Sequence, residues 1–229
     1  MTSIDLAHQE VRALNSLLHV SEDNPNTATD IQVLNPSGKH SVAVGAMLPS
    51  NVTVDGHVGY YCAGMNALAN IHVTGNAGPG LAENMMSGTV RVSGSASQYC
   101  GATAHGGLLI VEGDAAARCG ISMKGIDIVV GGSVGHMSAF MAQKGRLVVC
   151  GDAGDALGDS IYEARLYVRG EVKSTGADCE QKEMRDEHLE ELSELLSAAG
   201  ISAFEATEFK RYGSARKLYH FSIDNAHAY

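Results

Sequence analysis

Val52-Thr-Val-Asp-Gly56 is the first of seven five-residue segments that recur every 19 residues in this chain, without an insertion. In every copy the first residue is apolar, the third is Val and the fifth is Gly. The other copies are Ile71-His-Val-Thr-Gly75, Val90-Arg-Val-Ser-Gly94, Leu109-Ile-Val-Glu-Gly113, Ile128-Val-Val-Gly-Gly132, Leu147-Val-Val-Cys-Gly151 and Leu166-Tyr-Val-Arg-Gly170. A fixed period of this kind marks stacked, identical structural units. A regular stack leaves little room for an irregular catalytic pocket.

Each repeat unit joins a short strand to a corner. The alternation apolar-x-Val-x predicts a strand with a β-branched residue facing inward. The Gly that follows allows the chain to turn and two backbones to approach closely. Small residues then recur three and seven positions later, as in Gly151-Asp-Ala-Gly154-Asp-Ala-Leu-Gly158. The structural glycines of the repeat are Gly56, Gly75, Gly94, Gly113, Gly132, Gly151 and Gly170.

The simplest fold for this unit is a parallel β-helix with one coil per repeat. Stacked strands lie about 4.8 Å apart, so seven coils give a rod roughly 30 Å long. The left-handed hexapeptide β-helix is disfavoured because 19 is not a multiple of its repeat, and a β-propeller needs about 40 residues per blade. We therefore predict an all-β chain: a right-handed parallel β-helix of about seven 19-residue coils with helical flanks.

The chain divides into three segments by pattern: an N-terminal helix and polar arm in 1–37, the β-helix in 38–178, and a C-terminal helix and tail in 179–229. Apolar residues at helical spacing predict helices over 4–19 and 180–199. Residues 31–34 and 41–44 have the pattern of strands, in an incomplete first coil or a cap. We expect the C-terminal helix to cover the open end of the stack, where unpaired strand edges would invite association.

Charge and hydropathy exclude several classes of function. The formal net charge is −10 and the sequence pI about 5.4, which argues against nucleic acid as a partner. No apolar stretch approaches the ~18 residues of a membrane span. The first residues lack a charged region followed by an apolar run, so no secretory signal is predicted. We expect a cytoplasmic protein.

The five cysteines show no CxxC pair. Cys62, Cys100 and Cys119 occupy one position of the repeat, where other coils carry Leu or Ser, as a small buried hydrophobic residue would. Cys100 and Cys119 fall on adjacent coils, so a disulfide is geometrically possible, but a reducing cytoplasm disfavours it. The spacing fits neither zinc nor an iron–sulfur cluster. Core thiols are the expected outcome.

The sequence offers no catalytic constellation. Its ten histidines are scattered and form neither HxxxH nor HExxH. The stretch Gly75-Asn-Ala-Gly78-Pro-Gly80 has the spacing GxxGxG, not that of the dinucleotide fingerprint. Asp152, Asp155 and Asp159 could converge on calcium, but Asp152 stands where most copies place a polar residue after the Gly. No catalytic, cofactor-binding or metal-binding residue is assigned.

The second position of the strands forms a ladder that changes from polar to apolar along the stack. Its members are Thr53, His72, Arg91, Ile110, Val129, Val148 and Tyr167. An enzyme that acts on polysaccharides would need acidic or basic groups along such a ladder. Exposed apolar ladders mark contacts, so we expect this face to be a buried interface.

Basic and aromatic residues alternate near the C-terminus. The segment is an arm lying along the chain's own solenoid, or an arm that docks on another subunit, because aromatic residues and Arg are enriched at interfaces. The candidate residues for a partner interface are Phe209, Arg211, Tyr212, Arg216 and Tyr219.

The stacked motif Gly-xx-Gly-xxx-Gly, from about 38 to 175, resembles the GXGXG repeat domain at the C-terminal end of the glutamate synthase large subunit. It is also similar to a subunit of tungsten and molybdenum formylmethanofuran dehydrogenases. The flanks Arg12-Ala-Leu-Asn-Ser-Leu-Leu-His19 and Phe209-Lys-Arg-Tyr-Gly-Ser-Ala-Arg-Lys-Leu-Tyr-His-Phe221 resemble the stand-alone second subunit of N-methylglutamate synthase (methylamine–glutamate N-methyltransferase).

The resemblance implies one part of an enzyme that is divided among several chains. No cysteine follows Met1, and the chain has no barrel of about 250 residues. A glutamine-amidotransferase-like subunit and an FMN-binding, glutamate-synthase-like barrel subunit would then be partners, with FMN on the barrel and no cofactor on this chain. The implied role is a non-catalytic scaffold for converting methylamine and L-glutamate to N-methylglutamate and ammonia. The alternative is the equivalent scaffold of a glutamate synthase or formylmethanofuran dehydrogenase.

Overall fold

The computed structural model describes residues 2–19 and 30–218. Eleven strands in this part of the chain form one sheet, and two α-helices flank it. The strands are β1 Thr2–Asp5, β2 Asp30–Leu34, β3 Asn51–Asp55, β4 Asn70–Val73, β5 Thr89–Val92, β6 Leu108–Val111, β7 Lys124–Val130, β8 Lys144–Val149, β9 Arg165–Val168, β10 Cys179–Lys182 and β11 Lys210–Ser214. The helices are α1 Val11–Leu18 and α2 Asp186–Ala198. A short 3-10 turn, Ala206–Glu208, precedes β11.

The first nine strands stack in sequence order, each parallel to the next. From β3 to β9 the paired residues are 19 apart, as in Val52↔Ile71 and Ile71↔Val90, except at a bulge at the start of β7. A second column of parallel bridges runs along another face of the coils, from Val58↔Ala77 to Ala153↔Val172. The predicted parallel β-solenoid of about seven coils is confirmed, because the constant spacing keeps every strand in the same register.

The interior of the solenoid is built from columns of identical repeat positions. The third-position valines are fully buried, and they are Val54, Val73, Val92, Val111, Val130, Val149 and Val168. The cysteine column lies inside as well, with Cys62, Cys100 and Cys119 at 0% exposure beside Leu81 and Leu157. Stacking the coils therefore buries one continuous apolar core that no single coil could bury alone.

Two hydrogen-bond columns fasten neighbouring coils at the repeat corner. The N–H of each repeat Gly from Gly94 to Gly170 donates to the carbonyl oxygen of the preceding repeat Gly, at 2.8 to 3.1 Å. The side chain after the Gly accepts from the N–H of the residue 19 positions later, at 2.7 to 3.1 Å. The acceptors are His57, Asn76, Ser95, Asp114, Ser133 and Asp152. The recurrent polar residue is therefore a structural link between coils.

Removing one side-chain acceptor from this hydrogen-bond column should lower the stability of the stack measurably. Asp114→Ala leaves the N–H of Ser133 without its 2.7 Å partner, and we expect the free energy of unfolding to fall by about 1 kcal/mol. Asp114→Asn keeps an amide oxygen at the same place, as Asn76 does in its own coil, and should restore most of the loss. Urea denaturation followed by circular dichroism measures both. Equal losses of unfolding free energy in the two variants would show that the side-chain acceptor does not stabilise the stack.

Three positions in successive coils have a left-handed backbone, five, seven and nine residues after the repeat Gly. In one coil these are Tyr61, Ala63 and Met65, with φ of 62°, 56° and 55°. The middle position is the last small residue of the sequence motif. In six successive coils it is occupied by Ala63, Ala82, Gly101, Gly120, Ala139 and Gly158. A left-handed backbone brings Cβ close to the following carbonyl oxygen, which favours small side chains there.

The N-terminal flank differs from its prediction. Residues 2–5 form β1, which pairs in parallel with β2, so the predicted helix over 4–19 is wrong in its first part and only Val11–Leu18 is helical. Ile4 and Leu6 point into the core because the strand's alternation extends the stack. The predicted strand over 41–44 is a turn, with Ser41 and Ala43 both at φ 56°.

The C-terminal flank also differs from its prediction. Residues 179–182 form β10, and α2 begins only at Asp186. Strand β11 pairs antiparallel with β9, and β10 then forms the outer edge, so these two strands close the end of the stack. Helix α2 instead lies along the side of the solenoid, where Leu192, Leu195 and Leu196 are buried in one cluster with the apolar second-position ladder.

Candidate functional site

The three aspartates considered for calcium each serve a contact within the stack. Asp152 accepts from the N–H of Glu171 at 2.8 Å, Asp155 forms a 2.7 Å salt bridge with Lys173, and Asp159 accepts from the N–H of Ala177 at 3.2 Å. Over residues 2–19 and 30–218, no group of three or more His, Cys, Asp or Glu side chains is placed to hold a metal ion.

Several histidine rings act as local hydrogen-bond partners. Nδ1 accepts a backbone N–H in His40, His57 and His188, at 2.8 to 3.2 Å. His72 Nε2 lies 2.9 Å from Ser93 Oγ. An accepting Nδ1 places the ring proton on Nε2 in the neutral form. These rings stabilise turns and coil contacts.

All five thiols are free and buried. Burial raises the pKa of Cys62 to about 12 and that of Cys150 to about 11. A hydrogen bond to Cys100, with burial, raises the pKa of Cys119 well above its ordinary value. The thiolate is the nucleophile, so Cys62, Cys119 and Cys150 are unreactive near neutral pH. The expected core thiols are confirmed.

Only part of the predicted partner interface is accessible. Phe209 and Tyr212 are 5% and 6% exposed, because Phe209 packs in the cluster under α2 and Tyr212 lies in β11, paired with both β9 and β10. Both side chains therefore pack within this chain. Arg211 is half-buried, Arg216 is exposed, and Tyr219 lies outside the described residues. The segment up to Ser214 is an arm that packs on its own solenoid.

The apolar ladder is an interface within the chain. Ile110, Val129, Val148 and Tyr167 are at most 1% exposed, under helix α2 and the turn that follows it. Sequence reasoning expected this face to be buried, and it is. The pattern along the strands could not tell whether the cover came from this chain or from another.

Charged contacts hold α2 at both ends of this face. Glu191 accepts from Tyr167 Oη at 2.6 Å and pairs with Arg165 and Arg146 at 2.7 and 3.3 Å. At the other end, Arg91 donates to the carbonyl oxygen of Ala199 at 2.7 Å, a favourable place for a cation because the helix dipole is negative there. The helix therefore runs from β9 back to β5.

Exposed apolar side chains gather at one corner of the first coils. Met47, Met65, Leu68 and Met86 are each about half exposed, and we call them the methionine corner. Backbone hydrogen bonds join the coils at this point, from Leu68 to Ala46 and from Met86 to Asn66. Exposed apolar patches mark contacts with other molecules. Sequence reasoning missed this corner because its members fall at different repeat positions.

No helix among the described residues combines the length and apolar character needed to cross a bilayer.

A known protein resembles this chain over its full length. No protein-family model matches the chain, and no solved structure matches it significantly. The curated Protein GlxC of Rhizobium meliloti (strain 1021) is 64% identical over 229 residues, which cover 100% of both chains. An identity this high over the full length of both proteins places them in one family. The chain belongs to the family of Protein GlxC.

Proposed function

We propose that the chain is a non-catalytic scaffold subunit of a glutamate-synthase-like complex, most specifically of an N-methylglutamate synthase. The observation that carries the proposal is the use of the repeat's polar groups. The polar residues that follow the repeat Gly accept hydrogen bonds from the next coil, as His57, Asn76 and Asp114 do. Asp155 also contacts the next coil, through Lys173. Side chains that hold the stack together are what a scaffold requires.

Two further observations support this role. The GXGXG repeat resembles the glutamate synthase domain. The methionine corner leaves apolar surface uncovered on the first coils, as expected of a subunit that contacts a partner.

The proposal assigns the chemistry to partner chains. A glutamine-amidotransferase-like subunit and an FMN-binding barrel subunit would carry the reacting groups, with FMN on the barrel. The assembled complex would convert methylamine and L-glutamate to N-methylglutamate and ammonia. This chain would fix the relative positions of its partners.

The first test is purification of the tagged chain from its own cells under mild conditions. We expect a yellow complex with a flavin spectrum, in which mass spectrometry identifies an amidotransferase-like chain and a barrel chain. That complex should form N-methylglutamate only when methylamine and glutamate are both supplied. A colourless protein without partners would contradict the scaffold role. Ammonia-dependent glutamate formation, or bound tungsten or molybdenum, would instead identify one of the related complexes.

Histidine variants test the non-catalytic part of the proposal. His105→Ala and His136→Ala should leave turnover of the assembled complex within about twofold, since neither side chain has an assigned role. A variant that assembles normally yet loses turnover would show that this chain carries a reacting group.

A further inference from the structure

A basic pocket lies at the C-terminal end of the solenoid, where the start of β9, strand β11 and the start of α2 meet. Its volume is about 360 Å³, within the range of small-molecule sites. Six basic residues line it: Arg165, Lys182, Arg185, His188, Arg211 and Arg216. This concentration of positive charge contrasts with a formal net charge of −10 for the chain.

Most of these cations have carboxylate partners, but those partners lie largely outside the pocket. Arg165 pairs with Glu191 at 2.7 Å, and Lys182 pairs with Glu180 at 2.6 Å. Neither glutamate lines the cavity. The lining includes one carboxylate, Glu163, which pairs with Arg216 at 2.9 Å. The surface of the pocket is therefore positive, because most of the carboxylates that pair with its cations lie outside it.

Arg211 differs from its neighbours. Its Nε donates to the carbonyl oxygen of Glu183 at 3.0 Å, and among the described residues no carboxylate lies within salt-bridge distance of its guanidinium. Burial lowers the pKa of Arg211, and the positive charges of Arg185 and Arg165 lower it further, against the opposing effect of Tyr167 and Glu187. The pKa of His188 is lowered by burial and then by Arg211. The positive groups of the pocket thus repel one another.

We propose that this pocket binds a small oxyanion, a ligand that carries a carboxylate or phosphate group, with Arg211 as its principal partner. The guanidinium is planar and offers paired N–H donors that match both groups. An anion placed among Arg165, Arg185 and Arg211 would offset their repulsion. This inference is independent of the scaffold role, since a scaffold needs no such site.

Titration of the purified chain at low ionic strength tests the inference, with inorganic phosphate and L-glutamate as separate probes. Calorimetry measures affinity, and the ring proton resonances of His188 report binding inside the pocket. We expect saturable binding of at least one probe, with a shift of the His188 resonances. The probe that binds more tightly identifies the class of ligand.

Three variants separate this site from general surface attraction. Arg211→Gln should weaken binding about tenfold or more, because a charge-assisted hydrogen bond is lost. Arg211→Lys keeps the charge and should weaken binding less. The control Arg118→Gln removes a positive charge from a distant coil and should leave affinity unchanged. Unfolding midpoints establish that each variant is folded.

Two outcomes would overturn the inference. One is the absence of a His188 shift with both probes at millimolar concentration. The other is an affinity for the probe that is the same in folded Arg211→Gln as in the parent chain, which would show that binding does not use the pocket.

Discussion

Gly113→Ala should destabilise the solenoid severely, by about 4 kcal/mol or more, within the range of large single-residue effects. A Cβ at this position would lie 2.6 Å from Ser95 Oγ and 2.9 Å from the carbonyl oxygen of Gly94. The Gly94 backbone is fixed by the hydrogen bond that it accepts from Gly113 at 3.0 Å. The coils would have to separate, and that would break both hydrogen-bond columns at this corner. Gly94→Val or Gly113→Val should prevent assembly of the proposed complex altogether.

Gly213→Ala is the matched control for this prediction. The nearest atoms to a Cβ at Gly213 are 3.8 Å away, an ordinary van der Waals contact, and its backbone is not in the left-handed region. Chemical denaturation of both variants, followed by circular dichroism, gives the comparison. If Gly113→Ala unfolds at the same denaturant concentration as Gly213→Ala, the close approach of adjacent coils is wrong.

Leu192→Asp should detach helix α2 from the solenoid. Leu192 is 0% exposed and belongs to the cluster that holds Ile110, Val129 and Val148. An unpaired carboxylate buried among these side chains costs several kcal/mol, more than a 13-residue helix can recover alone. Release of α2 would expose the apolar ladder. We expect strong binding of a hydrophobic dye, rapid proteolysis within α2 and a tendency to aggregate.

Ser193→Asp places the same charge on the exposed side of the same helix. It should bind no more dye than the parent chain and resist protease equally. Similar behaviour of Leu192→Asp and Ser193→Asp in both assays would mean that α2 does not cover the ladder.

The solenoid was predictable because the 19-residue period fixes both the position of each strand and the strand with which it pairs. An apolar-x-Val-x-Gly segment every 19 residues leaves the strands one consistent register. The short flanking strands carry no such period. Thr2–Asp5 is a strand because β2 offers an edge to pair with, and Cys179–Lys182 is a strand because β11 does. Their own sequences carry no signal strong enough to override the helical pattern beside them.

The surfaces were less predictable than the core. The ladder ending at Tyr167 was correctly expected to be buried, but the cover by α2 depends on contacts such as that between Glu191 and Tyr167, 24 residues apart. The basic pocket joins Arg165, Lys182 and Arg211, which share no motif. Such sites arise from chain segments that meet only in the folded protein, so spacing along the sequence does not reveal them.

The span of α2 limits how this family can change length during evolution. The helix is fastened at Glu191 to β8 and β9 and at Ala199 to Arg91 in β5. Duplication of a coil between these strands would add about 4.8 Å to the rod, and a helix of fixed length would then lose one of its attachments. Coils before β5 are free of this limit. Gain or loss of whole 19-residue units should therefore be tolerated in the amino-terminal half and selected against in the other half.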